Sequence, residues 1–395
     1  MGTPTAPGAT TVWEAARESA DSPGNAHAHV PALDGLRGIA IILVMLFHYF
    51  GAAQGTGFYD RFALGVMSLG WMGVDLFFAL SGFLITGILY DAKKRARYFT
   101  NFYARRALRI FPLYYGVLVV LLIILPAIRP YRSEEMHDIV RSQAWLWLYA
   151  VNFARTFTAH QLDRVGHFWS LSIEEHFYLI WPAVIFFLSR RQLIGTALLA
   201  CAAAIAVRLL MLDQGFKAAE FTFSRMDSLA VGALVALLAR GPEGLSRYVG
   251  KARLTGGAAV ALLLVAFIAN GVDLRPLNPF VQQIGFSIIA AAMAAAVLLV
   301  VVSRPESRIH RLLASASLRS VGRYSYAMYV FHVPLAPLFW LLFSFEWLDI
   351  NGRLHSGFLA HLPYAVLASL ATYALAWVSW HAYEQHFLKL KRYFE

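Results

Sequence analysis

The chain has 395 residues, of which 59% are hydrophobic and 14% charged, and its mean hydropathy is +0.56. Soluble proteins carry about a quarter of their residues as charges, so two or three soluble domains are excluded in favour of a polytopic membrane protein. The net charge of +11 then reads as basic loops on the inner side of a membrane rather than as a nucleic-acid surface.

One cysteine, Cys201, lies in an apolar run. It permits neither a disulfide framework nor a cysteine-based metal site, and says nothing about redox compartment. Residues 1–30 are small, polar and rich in Pro and Gly, with no apolar core. They are expected to form a disordered cytoplasmic tail rather than a signal peptide. A spanning helix needs about 20 apolar residues. Such runs lie at 36–53, 71–90, 111–127, 167–189, 192–212, 223–240, 254–270, 280–302, 324–344 and 362–383, which predicts ten helices.

An eleventh candidate, 144–153 (AWLWLYAVNF), is short and aromatic-rich. With ten spans and a cytoplasmic N-terminus, the inward loops hold 21 Lys and Arg and the outward loops 9. If 144–153 also crossed, every later loop would invert and the positive-inside pattern would fail. The segment is therefore expected to be interfacial or re-entrant. The predicted fold is an all-α integral membrane bundle of about ten transmembrane helices with N- and C-termini cytoplasmic. Residues 31–388 form the transmembrane domain and 389–395 a basic cytoplasmic tail. No internal repeat and no second soluble domain is visible.

Polar groups inside the apolar runs come next, in chain order. In LDGLRGIAIILVMLFHYF, Arg37 and His48 are eleven residues apart, three turns and about 20°, so they share a face ~16 Å apart along the axis. Arg37 can be a snorkelling anchor paired with Asp34. Ionisable groups at membrane depth otherwise face a cavity, and His48 can also be a helix-to-helix hydrogen bond. The second run, WMGVDLFFALSGFLITGILY, has small residues that suit close helix packing; Ser81 lacks the strained turn of a nucleophile elbow. In DAKKRARYFTNFYARRALRIFP, Arg106 and Arg109 are i,i+3 and project from one face while Arg105 points elsewhere. Their planar forks suit phosphate, so an anionic cytoplasmic ligand is expected.

The run GHFWSLSIEEHFYLIWP places Glu174 and Glu175 side by side. Adjacent helical residues diverge by about 100°, so these cannot act as a close dyad. One is expected to face a cavity while the other bonds a neighbouring helix. Either can orient a histidine or pair with a membrane arginine such as Arg208 or Arg225. In FTFSRMDSLAVGALVALL, Arg225 and Asp227 are expected to form a local ion pair. GRYSYAMYVFHVPL puts His332 at mid-span with Ser325, Tyr326 and Tyr329. His48, His167 and His176 lack the i,i+4 spacing of a metal site, and no metal is assigned.

Taken in order, LDGLRGIA with its following histidine, DLFFALSGFLIT, RRALRIFP, FWSLSIEEHFYLIWP, SRMDSLAVGALVALL and YSYAMYVFHVPL resemble the membrane-bound acyltransferase-3 family of bacterial O-acyltransferases. The resemblance implies a multi-pass protein of the bacterial cytoplasmic (inner) membrane. Its donor would be acyl-CoA, by default acetyl-CoA, and its acceptor a carbohydrate hydroxyl on a cell-surface polysaccharide or glycolipid. Stand-alone relatives that acylate macrolide-type antibiotics offer an alternative acceptor. Some relatives append a periplasmic esterase-like domain; none is expected here, which leaves the acceptor open.

By the same resemblance Arg37 and His48 match the family's arginine-and-histidine pattern, with His48 the catalytic base. Arg106 and Arg109 match its R-x-x-R donor motif. Glu174 matches the glutamate five residues after Trp169. Asp34, Ser81, Trp169, Glu175, Arg225, Asp227, Tyr329 and His332 are expected to bind substrate or support the site. The chemistry agrees: acyl transfer from a thioester needs a base at the acceptor hydroxyl, and a neutral histidine can serve. A transporter or flippase is the rival from another class, but neither an inverted repeat nor paired broken helices is apparent.

Overall fold

A computed structural model describes residues 30–55, 57–128, 133–158, 160, 162–344 and 356–394. The expected tail at 1–30 thus lies, apart from Val30, outside the described residues, which contain helices and no strand. The principal helices are α1 (Pro31–Phe50), α2 (Phe58–Ser68), α3 (Gly73–Ala92), α4 (Tyr98–Val119), α5 (Trp169–Phe187), α6 (Arg190–Asp213), α7 (Thr222–Ala239), α8 (Val249–Ala269), α9 (Phe286–Val301), α10 (Ala316–His332), α11 (Ala336–Phe343) and α12 (Gly357–Ser379).

Among the described residues, eight helical stretches are long and apolar enough to cross a membrane, and nine if α10 and α11, bent by 88°, form one broken span. The difference from the expected ten is α5. It is an unbroken 19-residue helix, but Glu174, Glu175 and His176 make it too polar to qualify on composition. Segment 144–153 is not one helix. Short turns at Ala144–Trp147 and Val151–Phe157 flank Tyr149, whose φ is +53°, and its residues pack beneath Tyr114 and Tyr115 of α4. Helix α4 begins at Tyr98 and continues through a π-turn, Val120–Ile124, to Ile128. Arg106 and Arg109 therefore lie within it rather than ahead of it. The C-terminal turn Leu390–Phe394 folds back on α4.

Two close crossings fix the bundle. A Cβ at Gly82 of α3 would stand 2.0 Å from the Leu229 carbonyl oxygen, and one at Gly232 of α7 equally close to that of Ala79. Real Cβ atoms cannot approach so near, so glycine alone lets these backbones touch. Asp75 meets Arg225 and Ser228 further up the same crossing, and Asp91 meets Arg240 at its other end, so α3 and α7 run parallel. Helices α1 and α10 cross in the same way through Gly38 and Gly322, while Gly35 of α1 meets the Leu313 carbonyl just before α10. The chain enters α1 at Pro31, where the missing N–H costs nothing. Asp60 of α2 caps α12, accepting from Ser356 Oγ at 2.6 Å and from the Gly357 and Phe358 amides at 2.9 and 3.0 Å.

Candidate active site

Helices α1, α3, α4, α5 and α10 line a partly open cavity of about 100 Å³. Five cation or acid side chains face it: Arg37 from α1, Arg106 and Arg109 from α4, and Glu174 and Glu175 from α5. The i,i+3 spacing of the two α4 arginines does aim both into one space, and Arg105 is not among the lining residues. The Arg106 guanidinium lies 5.4 Å from the Tyr178 ring centroid. Neither Arg106 nor Arg109 makes a hydrogen bond or ion pair within 4.0 Å among the described residues. Arg37 is partly neutralised by Asp34, 3.2 Å away across one turn. The expected Asp34–Arg37 pair and a cavity-facing Arg37 are thus both present.

Both glutamates reach the cavity, and one of them, Glu174, also bonds the neighbouring helix α3. Glu174 accepts from Ser81 Oγ at 2.8 Å and from Tyr178 Oη at 3.2 Å. Ser81 is therefore tied to a carboxylate rather than to a histidine, and Tyr178 also donates toward Ser81 at 3.2 Å. Glu175 makes no hydrogen bond among the described residues. No ion pair joins either glutamate to Arg208 or Arg225, and neither touches His48.

The expected Arg225–Asp227 pair is not formed. Residues two apart on a helix point about 200° apart, and each finds its partner elsewhere. Arg225 bonds Asp75 of α3 at 2.6 Å, and Asp227 bonds Arg208 of α6 at 2.9 Å. All four side chains are at most 1% exposed. The Arg225 guanidinium also lies 3.7 Å from the Phe286 ring centroid and 5.6 Å from that of Trp169, a cation–π stack that compensates for lost hydration. Trp169, Arg225 and Asp227 thus form a buried clamp between α3, α5, α6, α7 and α9, apart from the lining of the cavity. Asp75 was not singled out in the sequence, and Arg208 was considered only as a partner for a glutamate; an aspartate and an arginine isolated in apolar runs were the available signal.

His332 is the last residue of α10, at the 88° bend before α11, so it lies at the break of that candidate span rather than inside a continuous helix. It is fully buried, and its Nε2 lies 3.3 Å from His48 Nδ1. His48 Nδ1 also lies 2.9 Å from the Val44 carbonyl, and His332 Nδ1 lies 2.7 Å from that of Tyr329. Tyr329 lines the cavity, and its hydroxyl meets Ser170 Oγ at 2.5 Å and donates to the His167 carbonyl at 2.6 Å. His48 itself does not line the cavity. Between them sits His167, whose ring is 5.1 Å from that of His332 and has no hydrogen bond at either nitrogen among the described residues. His167, Ser170 and Tyr178 were missed as site residues, although Tyr178 sits one turn beyond Glu174.

The chain was compared with known proteins. A family model described as an acyltransferase domain matches residues 30–381. A peptidoglycan O-acetyltransferase, OatA, of Listeria monocytogenes is 26% identical over 78% of this chain and 50% of its own length. O-acetyltransferase OatA of Staphylococcus aureus is 26% identical with the same coverage. A putative peptidoglycan O-acetyltransferase, YrhL, of Bacillus subtilis is 28% identical over 79% of this chain and 49% of its own. The chain spans about half the length of these relatives. No solved structure matches.

Proposed function

The chain belongs to the membrane-bound acyltransferase-3 family, and on that premise we propose that it moves an acetyl group from acetyl-coenzyme A to a hydroxyl of a cell-wall glycan such as peptidoglycan. The observation that carries this reading is the cavity, where Arg106 and Arg109 stand without protein acceptors among the described residues. Two planar forks on one helix face suit the phosphates of a coenzyme A thioester. Acylation of a glycan follows the printed names of the relatives.

In this reading α5 is the tenth span, both termini are cytoplasmic, and the protein is multi-pass in the bacterial cytoplasmic membrane. The parallel packing of α1 with α10 and of α3 with α7 supports that topology. Arg106 and Arg109 hold the donor from the inner side, Arg37 adds positive charge, and Glu174 is fixed by Ser81 and Tyr178. The pantetheine arm spans the ~16 Å that separates Arg37 from His48 along α1. There the acceptor oxygen attacks the thioester carbon, its proton passes to His48, the C–S bond breaks, and the proton finally goes to the departing thiolate. Tyr329, His332 and Glu175 shape the passage between the donor site and the base, and Asp34 holds Arg37 at its inner end.

The test is reconstitution in proteoliposomes with acetyl-labelled coenzyme A and purified glycan. Thiol release matched by ester formed on the glycan is the expected result. Donor that binds but is cleaved with no glycan offered would overturn the reading.

A further inference from the structure

The hydrogen bonds around His48 assign its protons. A backbone carbonyl only accepts. His332 Nδ1, 2.7 Å from the Tyr329 carbonyl, must therefore carry its proton, and in the neutral ring His332 Nε2 is then an acceptor. His48 Nδ1, 2.9 Å from the Val44 carbonyl, must likewise carry the proton of its own ring. It shares that proton between Val44 and His332 Nε2, 3.3 Å away. The proton of neutral His48 is thereby committed at Nδ1. Its Nε2 keeps a lone pair and has no hydrogen-bond partner among the described residues.

We infer that His332 is a positioning residue for His48: by accepting from Nδ1 across the α1–α10 crossing, it holds the ring, whose tautomer the Val44 carbonyl fixes, in the one orientation that turns Nε2 to an acceptor hydroxyl. The inference rests on the reading of His48 as base and adds which nitrogen acts and what fixes it. The Val44 carbonyl alone lies one turn back on the same helix and fixes Nδ1 as a donor without fixing the ring against another helix. His332 comes from α10, and the two rings meet edge to face, with centroids 4.8 Å apart and planes at 80°. Full burial at the end of α10 leaves His332 little room to turn. When His48 gains a proton at Nε2, the bond to His332 becomes charge-assisted and strengthens as positive charge develops. The chain goes no further, because the other nitrogen of His332 ends on a carbonyl; the proton stays on His48 until the leaving thiolate takes it.

His332→Gln keeps an acceptor oxygen where Nε2 stood, whereas His332→Leu has a similar bulk and no acceptor. Nitrogen NMR of ¹⁵N-histidine-labelled full-length protein in nanodiscs reads the tautomer, and steady-state thiol release with coenzyme A binding reads function. The expected result is one His48 tautomer, protonated at Nδ1, in wild type and in His332→Gln. In His332→Leu Nδ1 stays protonated, but the His48 ring signals broaden or split as the ring loses its single orientation, and turnover falls about 10²-fold with donor affinity unchanged. Wild-type turnover and a single set of sharp His48 ring signals in His332→Leu would overturn the inference, as would equal loss of turnover in both variants. His48→Ala, run alongside, separates the two claims. If it retains full turnover the base assignment fails, whereas inactivity of His48→Ala beside an active His332→Leu removes only the role of His332.

Discussion

A Cβ placed on Gly322 would stand 1.8 Å from the carbonyl oxygen of Asp34. That approach fixes α1 against α10 backbone to backbone. Ten residues beyond Gly322 on α10 is His332, and ten beyond Gly38 on α1 is His48. The register set by glycine at one end of the crossing delivers the two histidines to each other at the other end, ~15 Å away. Gly322→Ala is expected to force the helices apart and cost about 1–3 kcal/mol or more, since the obstructing atoms are backbone. Thermal unfolding in detergent and thiol release should both fall. Gly250, where a Cβ meets nothing within 4 Å, serves as the control, and its alanine variant should behave as wild type.

The buried Arg225–Asp75 pair should be strongly coupled. Leaving one charge of such a pair without its partner costs on the order of 3–5 kcal/mol. Arg225→Leu and Asp75→Leu are each expected to lower the unfolding temperature, and the double variant to lower it by less than the sum of the two. A double-mutant cycle on thermal unfolding measures this; additive losses would place the stabilisation in packing alone.

Arg106 and Arg109 should govern donor affinity. Arg106→Lys and Arg109→Lys keep the charge but lose the planar fork. Each is expected to weaken coenzyme A binding about tenfold, corresponding to about 1.4 kcal/mol, with the unfolding temperature unchanged. Isothermal titration with coenzyme A and with dephospho-coenzyme A reads the loss and shows which phosphate each fork meets.

Ser81 should act on Glu174 rather than on substrate. Ser81→Ala leaves Glu174 with Tyr178 alone and should cost about 1–3 kcal/mol of stability, while thiol release persists. Complete loss of thiol release with an unchanged unfolding temperature would instead make Ser81 a reacting group.

Much of this was legible in the chain. The apolar runs mark the helices, and i,i+3 spacing puts Arg106 and Arg109 on one face because helical geometry is local. What a helix packs against is not local. Arg225 and Asp227 adjoin in sequence, yet the partner of each is set by a crossing helix, through the α3–α7 glycine contact and by α6. The run 324–344 is continuous in hydropathy, so His332 reads as mid-span; Pro334, which cannot continue a helix normally, was the signal that α10 ends there. The meeting of His48 with His332 depends on Gly38 and Gly322 acting together, and only the folded bundle brings those two into register.

The most direct test of the account is acetyl-CoA turnover by wild type beside His48→Ala in proteoliposomes supplied with glycan, followed as free thiol, with coenzyme A binding measured on both. The account predicts that His48→Ala binds coenzyme A as wild type does and releases thiol at least about 10²-fold more slowly. Thiol release within twofold of wild type would contradict it and leave His48 as a packing residue.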